Sequence, residues 1–400
     1  DTITTTSLEP GPHRRYQSAA ALRDDVSRYL GGLAIEAKRG RRWYIARKFA
    51  SHHRFPIAAG LALFAVLLGA SIISFTLLRE SRIETAKANS IRVFLEDTLG
   101  SVEPDSVGGD PSVGDVLDEA VHWIEIALAD QPEVAASLHD TIGNSYRVLG
   151  RHADADAQLS AAMEIRRALF GEQHPEFAVS LNRIAMLRSD EGKHDEAESL
   201  AREALRVRER VYGDDSAPVV NVLMNLGSIT RNAGRTADAV ELYERALDIR
   251  RRTITDPSPD IAMCHFRLAE ALAESDPEAA LRHHERALET RRAALHPDHP
   301  DLTRSIAAVA MSRIEAGLPG SIGLSEELVS IRIASHGREH WRTARSMLGL
   351  ARALAHEGRT DDALATAAEA RSILVARLGP DHAHVHEADA LIERVKPRSD

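Results

Sequence analysis

The sequence repeats with a period of 41–42 residues, and a chain built that way cannot close around a single core. An aliphatic residue followed by a small one recurs at Ile142-Gly143, Ile184-Ala185, Leu226-Gly227, Leu268-Ala269, Val309-Ala310 and Leu350-Ala351. Seven residues after each small residue a turn is predicted, at Gly150, Gly192, Gly234, Asp276, Gly317 and Gly358. A second helix signal follows through Ala155, Ala197, Ala239, Ala280 and Ala363, and small residues return at Ala162, Ala204, Ala246, Ala287 and Ala370. Each unit therefore reads as two antiparallel helices around a tight turn. Glycine suits the turn because it tolerates a left-handed backbone, and small residues let the paired helices approach closely. One such unit cannot bury its apolar face alone. Six of them, over residues 132–382, are expected to stack into an all-α solenoid.

Two units depart from the pattern. Unit four lacks the turn glycine and carries "SDPEAA" instead. In unit five "GLPGSIG" distorts the turn, and Ile322 and Leu328 stand where small residues are expected, which predicts looser or bent packing. Residues 383–400 read as a capping helix and tail.

The stretch "EFAVSLNRIAMLRSDEGKHDEAESLAREALRVRERVYGDD" (176–215) resembles a tetratricopeptide repeat of the long variety found in kinesin light chains. That resemblance implies a superhelical solenoid in which the first helix of each unit lines a concave groove for a protein or peptide. The residues expected to face it are Asp140, Asn144, Arg147, Asn182, Arg183, Asn225, Arg231, Arg267 and Glu270. Side chains of these types can bond an extended peptide backbone or its charged ends.

Ahead of the repeats, "FPIAAGLALFAVLLGASIISFTLL" runs from Phe55 to Leu78 without a charge. As a helix it would extend about 35 Å, enough for a hydrocarbon core of about 30 Å, and it shows no polar face. A transmembrane helix is expected. Lys38, Arg39, Arg41, Arg42, Arg47, Lys48 and Arg54 precede it, whereas the basic residues that follow are mixed with acids. The positive-inside bias puts residues 1–54 in the cytoplasm and the repeats outside it.

Charge is divided along the chain. Residues 1–54 hold 11 basic and 5 acidic side chains, while those after Leu78 hold 39 basic and 55 acidic. An acidic repeat region argues against nucleic acid as a partner, because phosphates would be repelled. The single cysteine, Cys264, lies in an apolar helical pattern and reads as a small core residue. "HPDHP" (296–300) and "HAHVHE" (382–387) fall at loops between units and read as punctuation rather than metal ligands. The basic runs "RVRER" (206–210) and "IRRR" (249–252) sit near helix C-termini, where a solvated face is expected. No catalytic residue, cofactor site or metal site is expected in the chain.

The opening stretch "HRRYQSAAALRDDVSRYLGGLAIEA" reads as an amphipathic helix with Ala19, Leu22, Val26, Tyr29 and Leu30 on one face. It resembles the last helix of the catalytic domain in bacterial receptor-type serine/threonine protein kinases, with Arg15 at the arginine that buttresses the lower lobe. The resemblance extends over about residues 13–155, through the basic linker and the span into the first repeat. It implies a remnant of a kinase lobe (1–32), a juxtamembrane linker (33–54), the span (55–78) and membrane-proximal helices (79–131). No glycine-rich phosphate loop, His-Arg-Asp catalytic loop or Asp-Phe-Gly metal site occurs in the chain, so ATP and Mg would belong to a catalytic domain outside it. The expected function is a membrane-anchored, protein-binding sensor segment of such a kinase in the bacterial cytoplasmic membrane. The alternative is a self-standing membrane-bound adaptor or scaffold with no kinase.

Overall fold

The computed structural model describes residues 2–38, 43, 112–128 and 130–396. The predicted span, its juxtamembrane linker beyond residue 38 and the linker that follows it lie outside the described residues. No helix among the described residues is long and apolar enough to cross a membrane. The chain divides into two units, residues 1–92 and 93–400.

In the first unit, α1 (Thr2–Ser7) precedes α2 (Ala19–Leu30). Ser18 caps α2 by accepting from the Ala21 N–H, and Gly31 follows its last turn. The predicted apolar face of α2 is not covered: Val26 and Tyr29 are exposed, and Leu30 is 79% exposed. The residue that is buried is Asp25. Its carboxylate accepts from the Ala37 N–H at 3.0 Å and the Tyr16 hydroxyl at 2.8 Å, and also from the Glu36 N–H. Burial alone would raise its pKa. The two backbone N–H groups and the tyrosine outweigh that and hold it below the usual carboxylate range.

The second unit is all helical among its described residues. It opens with α3 (Val113–Ala127), started by a capping box in which Ser112 and Asp115 bond each other's backbone N–H. The six predicted helix pairs follow. The first helices are α4 (Pro132–Val148), α6 (Pro175–Asp190), α8 (Ala217–Asn232), α10 (Pro259–Leu272), α12 (Pro300–Glu315) and α14 (Trp341–His356). Their partners are α5 (His152–Phe170), α7 (His194–Tyr212), α9 (Thr236–Thr253), α11 (Pro277–Ala294), α13 (Ser321–His336) and α15 (Thr360–Leu378), and α16 (Ala383–Val395) packs on the last pair.

Small residues sit where the pairs cross. A Cβ on Gly143 would lie 2.8 Å from Leu159, and one on Gly227 would lie 2.6 Å from the Tyr243 ring. The turn glycines at 150, 192, 234, 317 and 358 all have positive φ. In unit four Asp276 replaces the glycine and caps α11 by accepting from the Ala279 N–H at 2.9 Å. Histidines begin several first helices. His174, His299, His340 and His382 each accept a backbone N–H two residues on, which gives the loop histidines a structural role. Cys264 is buried, and burial pushes its thiol up to about 11.

Unit five corrects one expectation. Ser321, not Ile322, takes the small position: it is fully buried, while Ile322 is half-buried. The step from the turn glycine to the buried small position is four residues (Gly317 to Ser321) against five in units one to three, although the connection itself is longer, 316–320; Gly320 caps α13 at φ 93° and its N–H bonds the Glu357 carboxylate at 3.2 Å. Leu328 does occupy the second small position and is buried there. Only Ser321, Ser325 and Leu328 of α13 are buried, fewer than in the other second helices that close a pair.

Neighbouring first helices touch one another along most of the row, whereas no comparable contact joins successive second helices. The first helices therefore lie on the inner side of the stack. That face holds the candidate site.

Candidate protein-interaction groove

The inner face of units two to four carries a cavity of about 440 Å³ between α6, α8 and α10. Four of the nine predicted contact residues meet there: Asn182, Arg183, Asn225 and Arg267. They come together because 42-residue spacing puts them on equivalent turns of successive first helices. Met186, Met224 and Met263 supply an adaptable apolar floor. Asn182 is half-buried, and its amide oxygen is enclosed with no hydrogen-bond partner among the described residues.

The other predicted residues do not join this cavity. Asp140 is buried, 3.5 Å from Arg166 and 3.3 Å from Arg183, so it is an internal countercharge rather than a free contact. Arg147 pairs with Asp190 and donates to Asn144 at 3.2 Å, which ties units one and two together. Glu270 lies 2.9 Å from Arg267 and 3.6 Å from Arg231, so these three form a small ion-pair cluster at the edge.

The sequence reading missed a ladder of arginines on the second helices. Arg166, Arg208, Arg250, Arg291 and Arg332 recur at steps of 42, 42, 41 and 41. The basic runs around Arg208 and Arg250 are therefore not a solvated face throughout. Arg250 is 8% exposed and Arg291 is fully buried. Burial pushes Arg208 and Arg291 below the ordinary arginine value. Four of the five cross to the next unit. Arg166 donates to Ser180 at 2.7 Å and lies 3.4 Å from Glu176. Arg208 donates to the Pro218 carbonyl at 2.7 Å. Arg250 lies 3.4 Å from Asp260 and also donates to Asn221 in its own unit. Arg291 donates to the Asp301 carbonyl and to Ser305 at 2.6 Å, and its guanidinium sits 4.9 Å over the Phe266 ring. The constant step was the available signal, since a solvated helix end has no reason to repeat the same residue at the period of the fold.

Chemically this face offers hydrogen-bonding amides, paired arginines and methionines. Among the described residues no group of three or more His, Cys, Asp or Glu side chains is placed to hold a metal ion.

Several solved structures align with parts of the chain. Repeats from a protein of Podosopora anserina described as a kinesin light chain align with 22% identity over 51% of this chain and 98% of that one, at a TM-score of 0.48. BtubC from P. vanneervenii aligns with 20% identity over 55% of this chain and 90% of its own, at 0.47. A signal transduction ATPase with numerous domains and a tetratricopeptide-repeat sensor, from Pyrococcus horikoshii, aligns with 15% identity over 70% of this chain and 42% of its own, at 0.52, a likeness of fold alone. No curated protein gives a significant match. Two tetratricopeptide-repeat family profiles match the chain, one at residues 133–210, 176–252 and 218–293 and the other at 343–384. These matches cover about half of the sequence, and with the six helix pairs they identify the chain as a tetratricopeptide-repeat protein.

Proposed function

We propose that the solenoid binds an extended peptide segment of a protein partner in the cavity lined by Asn182, Arg183 and Asn225, as the sensing part of a membrane-anchored bacterial serine/threonine protein kinase. The observation that carries the peptide reading is Asn182. Its amide is half-buried at the cavity wall and its enclosed oxygen has no partner, so a turn of the side chain toward the groove would give that oxygen a peptide N–H to accept from. Alanine at Asn182 and Asn225 should change folding stability by no more than about 0.5 kcal/mol, since both side chains face the open groove. Capture of protein partners from a lysate of the source organism should nevertheless fall. Unchanged capture would remove these residues from the contact surface.

The anchoring and kinase parts rest on other observations. The uncharged run 55–78 and its basic flank favour a single span with the repeats outside the cytoplasm. A reporter active only in the periplasm and fused after Asp400 tests that topology. A cytoplasmic signal would reverse it. The uncovered apolar face of α2, at Val26, Tyr29 and Leu30, favours a further domain against which that helix packs. ATP and Mg would be handled by that domain, and purified protein of this sequence should show no phosphotransfer. In the encoding DNA, kinase motifs in frame upstream of Asp1 support the kinase reading, and a start codon directly before Asp1 leaves the membrane-bound adaptor.

A further inference from the structure

The arginine ladder loses its counter-charge at its last step. Glu176, Asp260 and Asp301 occupy one repeated position at the start of the first helices of units two, four and five. Arg166 and Arg250 each lie 3.4 Å from the carboxylate at that position, and the charge of Asp301 favours the charged form of Arg291. Unit three has Pro218 there, which adds no charge and whose carbonyl accepts from Arg208. In unit six the position is Arg342. The serine that accepts from Arg166 and Arg291, at 180 and 305, returns as Ser346. The Arg332 guanidinium instead donates to Thr303 of its own unit at 2.9 Å.

Unneutralised charge collects there. Arg332, Arg342 and Arg345 line a cavity of about 570 Å³ between α12, α13 and α14. Among the described residues none of the three has a carboxylate within ion-pair distance. Burial, and then the charges of Arg342 and Arg345, push Arg332 below the ordinary arginine value. Arg342 lies 5.1 Å over the Trp341 ring and 3.4 Å from His336 Nε2, and neither brings a negative charge. The other charges of the cavity cancel locally, since Arg304 pairs with Asp301 at 3.1 Å and Arg352 pairs with Glu387. The uncompensated cations therefore sit together beside the start of α14. A cation in the first turn of a helix also opposes the helix dipole. Ladder and dipole both call for negative charge at a place where the sequence supplies only arginine.

We propose that a phosphate group, free or as a small monoester, binds among Arg332, Arg342 and Arg345 and takes the place of the missing carboxylate. A carboxylate brings a single charge on two oxygens. A phosphate near neutral pH brings a charge of about −1.5 to −2 and three acceptor oxygens, which suits guanidiniums that approach from two helices. The bound anion joins α13 to α14 and acts as a clip between units five and six. A clip has most effect on a helix with little burial of its own, and α13 buries only Ser321, Ser325 and Leu328. The inference rests on the ladder and not on peptide binding by the inner face, so it stands or falls separately from the proposed function.

The test is isothermal titration calorimetry of the full chain in a nonionic detergent, at constant ionic strength, with inorganic phosphate and with free phosphoserine. Saturable binding is expected. Binding of phosphoserine alone assigns the site to monoesters, and binding of inorganic phosphate assigns it to the free anion. Arg342→Glu restores the acid of the other units and should weaken binding at least tenfold. Without phosphate the same variant should slow amide hydrogen exchange in α13 and α14, as phosphate does in the parent, because it supplies the missing charge from within the chain. Arg345→Ala changes an exposed side chain, so it should weaken binding at least tenfold while the helical circular dichroism stays unchanged. Arg206→Ala removes an exposed arginine of α7 and should leave the affinity unchanged. No saturable binding of either probe, unchanged affinity in Arg342→Glu or Arg345→Ala, an equal loss in Arg206→Ala, or faster exchange of α13 and α14 in Arg342→Glu would each overturn the proposal.

Discussion

Replacing either of two helical glycines by alanine should move stability in opposite directions. Gly227 lies in α8 where it crosses α9. A Cβ there would lie 2.6 Å from Tyr243 Cε1 and 2.9 Å from Cδ1 and Cζ, against about 3.5–4.0 Å for relaxed carbon contacts. Tyr243 cannot yield easily. It is fully buried, and its hydroxyl is 3.0 Å from Ser228 Oγ. Alanine gains about 1 kcal/mol of helix propensity over glycine. Overpacking of this kind costs about 1–3 kcal/mol, and three sub-contact distances to a rigid ring put it at the upper end. The net expectation for Gly227→Ala is a loss of about 2 kcal/mol. At Gly349 the same added methyl meets open space, so Gly349→Ala should gain about 0.5–1 kcal/mol. For a domain of this size each kcal/mol shifts the melting temperature by roughly 2–4 °C. Circular dichroism melts of the two variants beside the parent read both effects. Shifts of the same sign would refute the close-crossing account of the small positions.

Other perturbations follow from the same packing. Ala204 is fully buried between helices, so Ala204→Leu should destabilise by about 1–3 kcal/mol through overpacking, measured by urea titration. Burial, reinforced by His283, Arg251 and Arg286, lowers His265 to about 4, and burial lowers His284 to about 4 as well. The unfolded chain therefore takes up protons first, so stability is intact above about pH 6.5 and falls as pH drops toward 4. The loss is on the order of 2–3 kcal/mol per histidine, seen as a falling denaturation midpoint. Replacing His265 by Phe should flatten part of that slope. Arg291→Met keeps most of the buried aliphatic volume and removes a buried charge, at the loss of the guanidinium over Phe266, so its stability should stay within about 1 kcal/mol of the parent, whereas Arg291→Ala should cost about 2–4 kcal/mol.

The helix pairs were legible because close crossings admit only small residues, and those residues return at the period of the fold. Turn glycines were legible for a similarly local reason, a positive φ. The register of unit five was not. A step one residue shorter between the turn glycine and the second helix moved the buried position from Ile322 to Ser321, and pattern alone does not show where that residue is lost. That Asn182, Arg183, Asn225 and Arg267 line one cavity was legible because equivalent turns of successive first helices share a face. Asp140 was misplaced because its burial depends on Arg166 from the partner helix. Arg208 and Arg250 were read as helix-end charges because composition near a C-terminus favours bases whether they are solvated or enclosed. Their recurrence at Arg166, Arg291 and Arg332 is the feature that distinguishes the two cases. On α2, periodicity predicted a helix, which the structure has at Ala19–Leu30, but Val26, Tyr29 and Leu30 of its predicted apolar face are exposed, because periodicity says which residues share a face and not whether that face is buried.

The central claim is that the face formed by the first helices receives a protein segment. Photo-cross-linking in cells of the source organism tests it directly. A photoreactive benzoylphenylalanine placed at Asn225, on the inner face, should trap a partner protein as a discrete adduct. The same group placed at Glu241, exposed on the second helix α9, should trap none. An adduct at Glu241 that matches or exceeds the one at Asn225 would contradict the account.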